Sequence, residues 1–279
     1  MTPQDDSVKI SIPPAAQTDA EIVGLAEHWR NWFNAIIKTQ STALLWPQQS
    51  GPELHEHSFS AYHFFLDNSG LSLLSGPRGH SASPLRVDFA NPQMRYRQKT
   101  LGKKQPLARA LAARPGLKVL DVTFGLGKDA FFIASLGCQV MGLEASPIIY
   151  ALAADGVRRL AAGLRGEGQE VLTLSVQFSD SRIFLDALTE ATIPDVIYMD
   201  PMYPTSGKAA LPKKELQWLR ELIEPTPERD RELLASALRR ARQRVVVKRP
   251  LNAAPLAGGV WRSYKGSTTR YDVYQTRLV

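Results

Sequence analysis

Apolar and polar residues follow two different patterns along the chain, and the change falls near residue 95. Residues 19–38 place apolar side chains on one helical face, which predicts an amphipathic helix. Residues 54–89 instead show short alternating runs broken by Asn, Gly and Pro, as strands do. The polar residues up to about Pro14 are predicted to form a loose arm. We therefore predict a small, strand-rich α+β subdomain over residues 1–95.

Residues 96–279 alternate between strand and helix patterns. The predicted strands are residues 118–122, 139–143, 171–176, 195–199, 244–248, 260–264 and 271–276. The predicted helices are residues 106–113, 129–136, 147–164, 181–188 and 229–242. The alternation indicates a parallel α/β sheet with helices on both faces, and the last two strands should close it as an antiparallel hairpin. We therefore predict a seven-stranded, mostly parallel sheet.

The first strand of this domain runs into a glycine turn and then a helix, over residues 119–129. Gly125 and Gly127 would let the backbone approach a ligand closely, at the edge of an open sheet where α/β folds hold cofactors. A third glycine at the dinucleotide spacing is missing, which disfavours a pyrophosphate and suits a methionine-type cofactor. Asp121, inside the strand, is predicted to accept backbone amides of the turn, because an unpaired buried carboxylate is costly.

Further polar residues follow the neighbouring strands. Glu144 ends the second strand, where an acidic side chain can accept both hydroxyls of a ribose. Asp129 could bind the positively charged end of the cofactor or could merely complement the helix dipole. Ser179 and Asp180 follow the third strand, where an adenine amino group would lie, although Asp180 could also act only as a helix N-cap.

The fourth strand ends in the motif Asp-Pro-Met-Tyr at residues 200–203. The amino group of guanine or adenine is a poor nucleophile, because its lone pair is delocalised into the ring. The Asp200 carboxylate and the carbonyl of Pro201 or Met202 could accept its hydrogens, orient the nitrogen and stabilise developing positive charge. Tyr203 could stack on the base, a contact worth about 1–3 kcal/mol. Asp200, Pro201 and Tyr203 are therefore the predicted catalytic residues, although the motif alone could be a simple proline turn.

Composition limits the environment and the partners. The chain has 279 residues with 34 Lys and Arg against 27 Asp and Glu, a net charge of +7 that favours a polyanionic partner. Lys208, Lys213 and Lys214 flank the predicted target pocket and are predicted to bind RNA phosphates, whereas Lys248 and Arg249 are interpreted only as further positive charge. A single cysteine and the lack of a long apolar run predict a cytoplasmic protein without a membrane span. No metal site is predicted.

With these residues in view, the chain resembles the bacterial ribosomal RNA small subunit methyltransferase J family. The resemblance runs from about residue 87 to the C-terminus. It is carried by the sequence blocks at residues 125–131, 136–138, 198–204, 213–215, 245–250, 254–256 and 270–274. The family is a group of class I Rossmann-like enzymes that methylate guanosine N2 in 16S ribosomal RNA. The resemblance therefore implies S-adenosyl-L-methionine as cofactor and 16S ribosomal RNA or the small ribosomal subunit as partner.

The resemblance also implies which residues contact the cofactor. These are Lys128, Asp129, Glu144, Ala145, Ser179, Asp180 and Asp200. The chain departs from the family pattern at three of them, since the family often has Arg at 128, Arg at 145 and Ser at 180. The guanidinium missing at Ala145 removes an adenine-stacking or ribose contact, which makes that position the least secure.

Three other functions fit parts of the pattern. An amino-methyltransferase acting on adenine N6 or on DNA would use the same Asp-Pro-x-Tyr loop, although no separate DNA-reading domain is apparent. An NAD-dependent oxidoreductase would be expected to have the missing third glycine. A non-catalytic RNA-binding module would have no need to keep the loop complete.

Overall fold

The computed structural model describes residues 8–42, 62–76, 79–89, 102–164, 172–201 and 227–276. The chain divides into two compact units, Met1–Val87 and Asp88–Val279. The boundary predicted between residues 95 and 96 lies outside the described residues and stays a prediction.

The first unit combines one helix with a four-stranded sheet. Its elements are β1 (Lys9–Ser11), a single 3-10 turn (Pro14–Ala16), α1 (Ala20–Thr42), β2 (His63–Asp67), β3 (Gly70–Gly76) and β4 (Gly79–Leu85). The strand order is β1-β2-β3-β4, with only β1 and β2 parallel. The predicted helix and the strand-rich character are both confirmed. Buried Phe33 of α1 packs against buried Phe64 of β2, with ring centroids 5.2 Å apart.

The prediction of a loose arm up to Pro14 was wrong for part of that segment. Residues 9–11 form β1, which pairs with β2 in the register Lys9↔His63 and Ile10↔Phe64. The Ile10 side chain is buried, so the strand is held by a long-range apolar contact as well as by backbone hydrogen bonds. A three-residue strand with a partner more than 50 residues away leaves no local periodicity to detect.

The second unit is built on a seven-stranded sheet. Its elements are a 3-10 turn (Gly102–Lys104), α2 (Pro106–Leu111), β5 (Lys118–Asp121), α3 (Lys128–Ala134), β6 (Gln139–Glu144), α4 (Pro147–Leu164), β7 (Leu174–Phe178), α5 (Ser181–Ala187), β8 (Val196–Met199), α6 (Pro227–Arg240), β9 (Arg244–Pro250), β10 (Arg262–Lys265) and β11 (Thr269–Gln275). The strand order is β10-β11-β9-β8-β5-β6-β7. Only β11 runs antiparallel to its neighbours, so the predicted mostly parallel sheet with a C-terminal hairpin is confirmed.

Strand order determines where a ligand can bind. The chain moves from β5 to β6 on one side and returns to β8 on the other, so the topological switch lies beside β5. At such a switch the loops that leave the carboxyl ends of neighbouring strands diverge and form a crevice. The residues that end β5, β6 and β8, or follow them directly, therefore meet at this edge.

Two apolar layers cover the sheet. One layer packs α2, α3 and α4 against one face, through residues such as Leu107, Ile133 and Ala153. The other packs α5 and α6 against the opposite face, through residues such as Leu185 and Leu234. Within the described residues, no helix is both long enough and apolar enough to span a bilayer.

Candidate active site

The glycine turn connects β5 to α3 and takes a left-handed backbone at both glycines. Gly125 has φ +55° and Gly127 has φ +70°, a conformation that other residues adopt at a cost. A Cβ built on Gly127 would lie 2.6 Å from the ring of Phe124, so this glycine also makes room for a core side chain. Among the described residues, a Cβ on Gly125 would approach only the Thr123 carbonyl oxygen, at 3.9 Å. Gly125 is therefore the glycine whose backbone a ligand could approach.

Glu144 ties the end of β6 to the glycine turn. Its Oε2 accepts the Gly125 N–H at 2.9 Å, and its Oε1 accepts the Ser146 N–H at 2.7 Å. Removal from water raises the pKa of Glu144 to about 7, although these amides oppose the shift. Each carboxylate oxygen can accept a second hydrogen bond. The predicted contact with ribose hydroxyls therefore remains compatible with the structure and stays a prediction.

Asp121 lies at the end of β5 and is buried. Its Oδ1 accepts the N–H of Thr123, at the start of the turn, at 3.0 Å, as the prediction that it accepts backbone amides of the turn requires, whereas the Gly125 amide is bonded to Glu144. Burial above all, together with the negative charges of Asp129 and Asp200, raises the pKa of Asp121 to about 8, although the hydrogen bonds from Thr123 oppose the shift. Asp121 therefore holds its proton near neutral pH.

We expect Asp121→Asn to change how stability depends on pH. The unfolded carboxyl titrates near pH 4 and the folded one near pH 8, so the folded protein holds the extra proton between these values. Stability of the natural protein should therefore fall by roughly 1 kcal/mol per pH unit across this window through Asp121 alone. The asparagine variant has no carboxyl group to titrate at this position. The free energy of unfolding of the variant should therefore rise relative to that of the natural protein between pH 5 and pH 8. Urea unfolding measures this, and parallel pH curves would contradict it.

The centre of the site is a lysine between two carboxylates. Lys248, on β9, donates from Nζ to Asp129 Oδ2 and to Asp200 Oδ2, each at 2.8 Å. Asp129 lies in the first turn of α3, and its Oδ2 also accepts the hydroxyl of buried Tyr198 at 2.8 Å. We call Asp129, Lys248 and Asp200 the Lys248 cluster. It joins the helix after the glycine turn to the residue that follows β8.

The charges of the Lys248 cluster depend on one another. Burial by itself would lower the pKa of Lys248, but Asp200 and Asp129 raise it well above its ordinary value, so the ammonium stays charged. Removal from water raises the pKa of Asp200, whereas Lys248 lowers it and Asp129 raises it. The Asp200 side chain is 39% exposed, and this contact with solvent limits the rise. Lys248 is therefore the main group that holds Asp200 in its ionised form.

Asp200 is also anchored through its backbone. Its N–H donates to Thr123 Oγ1 at 2.6 Å, which joins the carboxyl end of β8 to the start of the glycine turn. Among the described residues, its Oδ1 accepts no hydrogen bond, whereas Oδ2 accepts Lys248. Buried Pro201 follows directly. The predicted stacking residue Tyr203 and the predicted RNA-binding residues Lys208, Lys213 and Lys214 lie outside the described residues.

The residues predicted to contact the adenine and ribose lie at the same edge of the sheet. Asp180 is the N-cap of α5, since its Oδ1 accepts the amides of Arg182 at 2.8 Å and Ile183 at 3.2 Å. Its Oδ2 pairs with Arg229 of α6 at 2.7 Å. Ser179 precedes it, and its N–H donates to the Glu144 carbonyl at 3.0 Å. Ala145 follows Glu144 and is half-buried, and Lys128 is exposed at the start of α3.

The N-cap that Asp180 provides for α5 should contribute to the stability of the fold. Asp180→Ala should lower the free energy of unfolding by about 1 kcal/mol, because two amides of α5 lose their acceptor. Asp180→Ser keeps a good N-cap and should be close to the natural protein in stability. Urea unfolding of both variants provides the measurement. Equal destabilisation by the two substitutions would show that the Arg229 ion pair matters more than the cap.

Lys248 and Tyr198 are site residues that the sequence prediction missed. From the sequence, Lys248 is only one more positive charge, although it follows the apolar run 245–247 near the carboxyl end of a strand. A charged residue in such a position is costly unless it has a partner, and this is the signal that could have identified it. Its partners could not be named from the sequence, because Asp129 is 119 positions away along the chain.

The chain is similar to known methyltransferases in sequence and in fold. Residues 50–276 match the family model described as "Putative SAM-dependent methyltransferase". The chain is 44% identical to the ribosomal RNA small subunit methyltransferase J of Thioalkalivibrio sulfidiphilus over 216 residues, which cover 76% of this chain and 83% of that protein. The protein of the same name from Hydrogenovibrio crunogenus is 44% identical over 203 residues, covering 71% and 72%.

A solved methyltransferase structure has a similar fold. The SAM-dependent methyltransferase NGO1261 from Neisseria gonorrhoeae is 28% identical, covers 96% of both chains and superposes with a TM-score of 0.61. The similarity therefore extends over both units of the chain.

Proposed function

Because this chain belongs to the ribosomal RNA small subunit methyltransferase J family, we propose that it transfers a methyl group from S-adenosyl-L-methionine to the exocyclic N2 amine of a guanosine in 16S ribosomal RNA. The observation that carries the proposed chemistry is the Lys248 cluster. It presents an ionised carboxylate, Asp200, at the carboxyl edge of the sheet beside the glycine turn. A carboxylate in that place can accept a hydrogen bond from the amino group of the target base and stabilise the positive charge that develops on its nitrogen.

The residues around the glycine turn fit the cofactor. The Gly125 backbone is approachable, and Glu144 and Asp129 supply carboxylates suited to ribose hydroxyls and to a positively charged group. When bound, S-adenosyl-L-methionine supplies an electrophilic methyl group on a sulfonium. We propose that the residues that hold it are Asp121, Gly125, Gly127, Lys128, Asp129, Glu144, Ala145, Ser179, Asp180 and Asp200. The buried, protonated Asp121 would act through the turn rather than as a base.

Asp200 and Pro201 would bind the target amine. Asp200 Oδ1 accepts one amino hydrogen and the Pro201 carbonyl accepts the other, which turns the nitrogen lone pair out of the ring system and toward the methyl carbon. The nitrogen gains positive charge as the new bond forms, and the adjacent carboxylate stabilises it. The proton then leaves for solvent or Asp200. Lys248 keeps Asp200 ionised until that proton is transferred.

The target base and its strand involve residues outside the described part. We propose that Tyr203 stacks on the guanine after it has left its helix and that Lys208, Lys213 and Lys214 bind flanking phosphates. An enzyme with this substrate would act in the cytoplasm, which agrees with the single cysteine of the sequence.

Mapping the modified base tests the proposal. Ribosomal RNA from a strain lacking the gene should have lost one N2-methylguanosine, as detected by primer extension or mass spectrometry. The purified enzyme should restore it on the small subunit RNA. Adenine-bearing RNA and DNA serve as alternative substrates, and methyl transfer to these in preference to guanine would favour an adenine N6 or DNA enzyme. An unchanged modification pattern in the deletion strain would contradict the proposal.

A further inference from the structure

An exposed strip of arginine and aromatic side chains lies along β10, an edge strand of the seven-stranded sheet. The strip consists of Arg109 on α2 and of Trp261, Arg262 and Tyr264 on or next to β10. The Trp261 side chain is 48% exposed, and it is one of three large apolar residues that remain exposed in the described part of the chain. Its backbone N–H donates to the Val273 carbonyl at 2.8 Å, which positions the residue directly before the strand.

In this strip, two guanidinium groups lie over the two aromatic rings. The Arg262 guanidinium lies 5.0 Å from the Trp261 ring centroid and 6.0 Å from that of Tyr264. Arg109 approaches the same Tyr264 ring, at 5.1 Å. Among the described residues, neither guanidinium forms a salt bridge with a carboxylate. Within this part of the chain, aromatic rings rather than carboxylates therefore contact both positive charges.

The strip lies on the same face of the sheet as the Lys248 cluster. Tyr264 pairs with Tyr271, which pairs with Lys248, so the three residues form one row across β10, β11 and β9. Residues paired in this way point to the same face. Two strand spacings separate Tyr264 from Lys248, which is about 10 Å. Lys265, exposed at the end of β10, extends the positive charge toward the carboxyl edge of the sheet.

We infer that this strip binds the RNA strand next to the target guanosine, with Trp261 stacking on an unpaired base and Arg109 and Arg262 contacting phosphates. The inference rests on the proposed function and adds a binding surface to it. Stacked rings recognise any base, and fixed guanidinium groups complement phosphates. Cations positioned on aromatic rings have lost part of their conformational freedom in advance, which suits them to hold a flexible strand.

Binding and kinetics of variants test the strip. We expect Trp261→Ala and Arg262→Ala each to raise the Kd for naked 16S ribosomal RNA, and the KM for it, about tenfold. The kcat and the affinity for S-adenosyl-L-methionine should stay within about twofold of the natural values. Arg262→Ala should also reduce the slope of log Kd against log salt concentration by about one, because one phosphate contact is lost. The matched controls are Ile183→Ala and Arg231→Ala, which remove an exposed apolar and an exposed cationic side chain from α5 and α6, on the opposite layer.

Each outcome has a definite meaning. If the variants bind naked RNA as tightly as the natural enzyme, and the natural enzyme methylates ribosomal RNA normally, the inference that the strip binds RNA is wrong. The proposed function would then be unaffected. A loss seen only with assembled small subunits would indicate a ribosomal protein as the partner and would also overturn the inference. If the natural enzyme neither binds nor methylates ribosomal RNA, the proposed function is wrong, and so is the RNA-binding role inferred for the strip.

Discussion

Replacement of Asp200 by asparagine should lower the rate of methyl transfer by about 10²–10³-fold or more. The carboxylate would accept an amino hydrogen and stabilise the positive nitrogen, and an amide retains only the neutral part of that interaction. The substitution also removes the charge that Lys248 contacts at 2.8 Å. Because the effect falls on the transition state, kcat should drop while the KM for RNA changes little. Single-turnover transfer of a labelled methyl group measures it.

The fold should survive this change, because the Asp200 backbone keeps its hydrogen bond to Thr123. Circular dichroism and urea unfolding establish that point. Asp186→Asn on α5 is the matched control, since it removes an exposed carboxylate away from the carboxyl edge of the sheet. Asp200→Asn with near-normal turnover would contradict the role proposed for this residue.

Replacement of Lys248 by methionine should impair both catalysis and stability. Asp129 and Asp200 would then lose the cation that they share, so removal from water and mutual repulsion would raise the pKa of Asp200. An opposite charge at this distance typically lowers a carboxyl pKa by about 1–3 units. The acid limb of the pH dependence of kcat should therefore move to higher pH by about that amount, with a lower rate at neutral pH.

The stability effect has a separate cause. Breaking a fully buried ion pair costs about 3–5 kcal/mol, and the Lys248 side chain is 23% exposed, so we expect about 1–3 kcal/mol. Urea unfolding measures this loss. Lys248→Arg keeps the charge and should recover much of the pH profile, even if packing suffers. A methionine variant that loses stability but keeps the natural pH profile would show that Lys248 has only a structural role.

Several features could be predicted from the sequence because they depend on near neighbours along the chain. The alternation of strands and helices, the glycine turn and the Asp-Pro pair after β8 are all local patterns. Apolar periodicity reports burial over a few residues, and a left-handed turn needs glycine wherever it occurs. Parallel strands with right-handed crossovers then leave few ways to arrange the sheet. Fold class and the edge that carries the site follow from these rules.

Tertiary structure alone decided which charged groups meet. Lys248 contacts carboxylates 119 and 48 positions away, and Glu144 rather than Asp121 accepts the Gly125 amide. The row from Tyr264 to Lys248 exists only because β11 inserts between β10 and β9. Strand order and register bring these residues together, and neither leaves a trace in local periodicity. The sequence therefore determined the scaffold and the edge of the site, and the folded sheet determined its electrostatics.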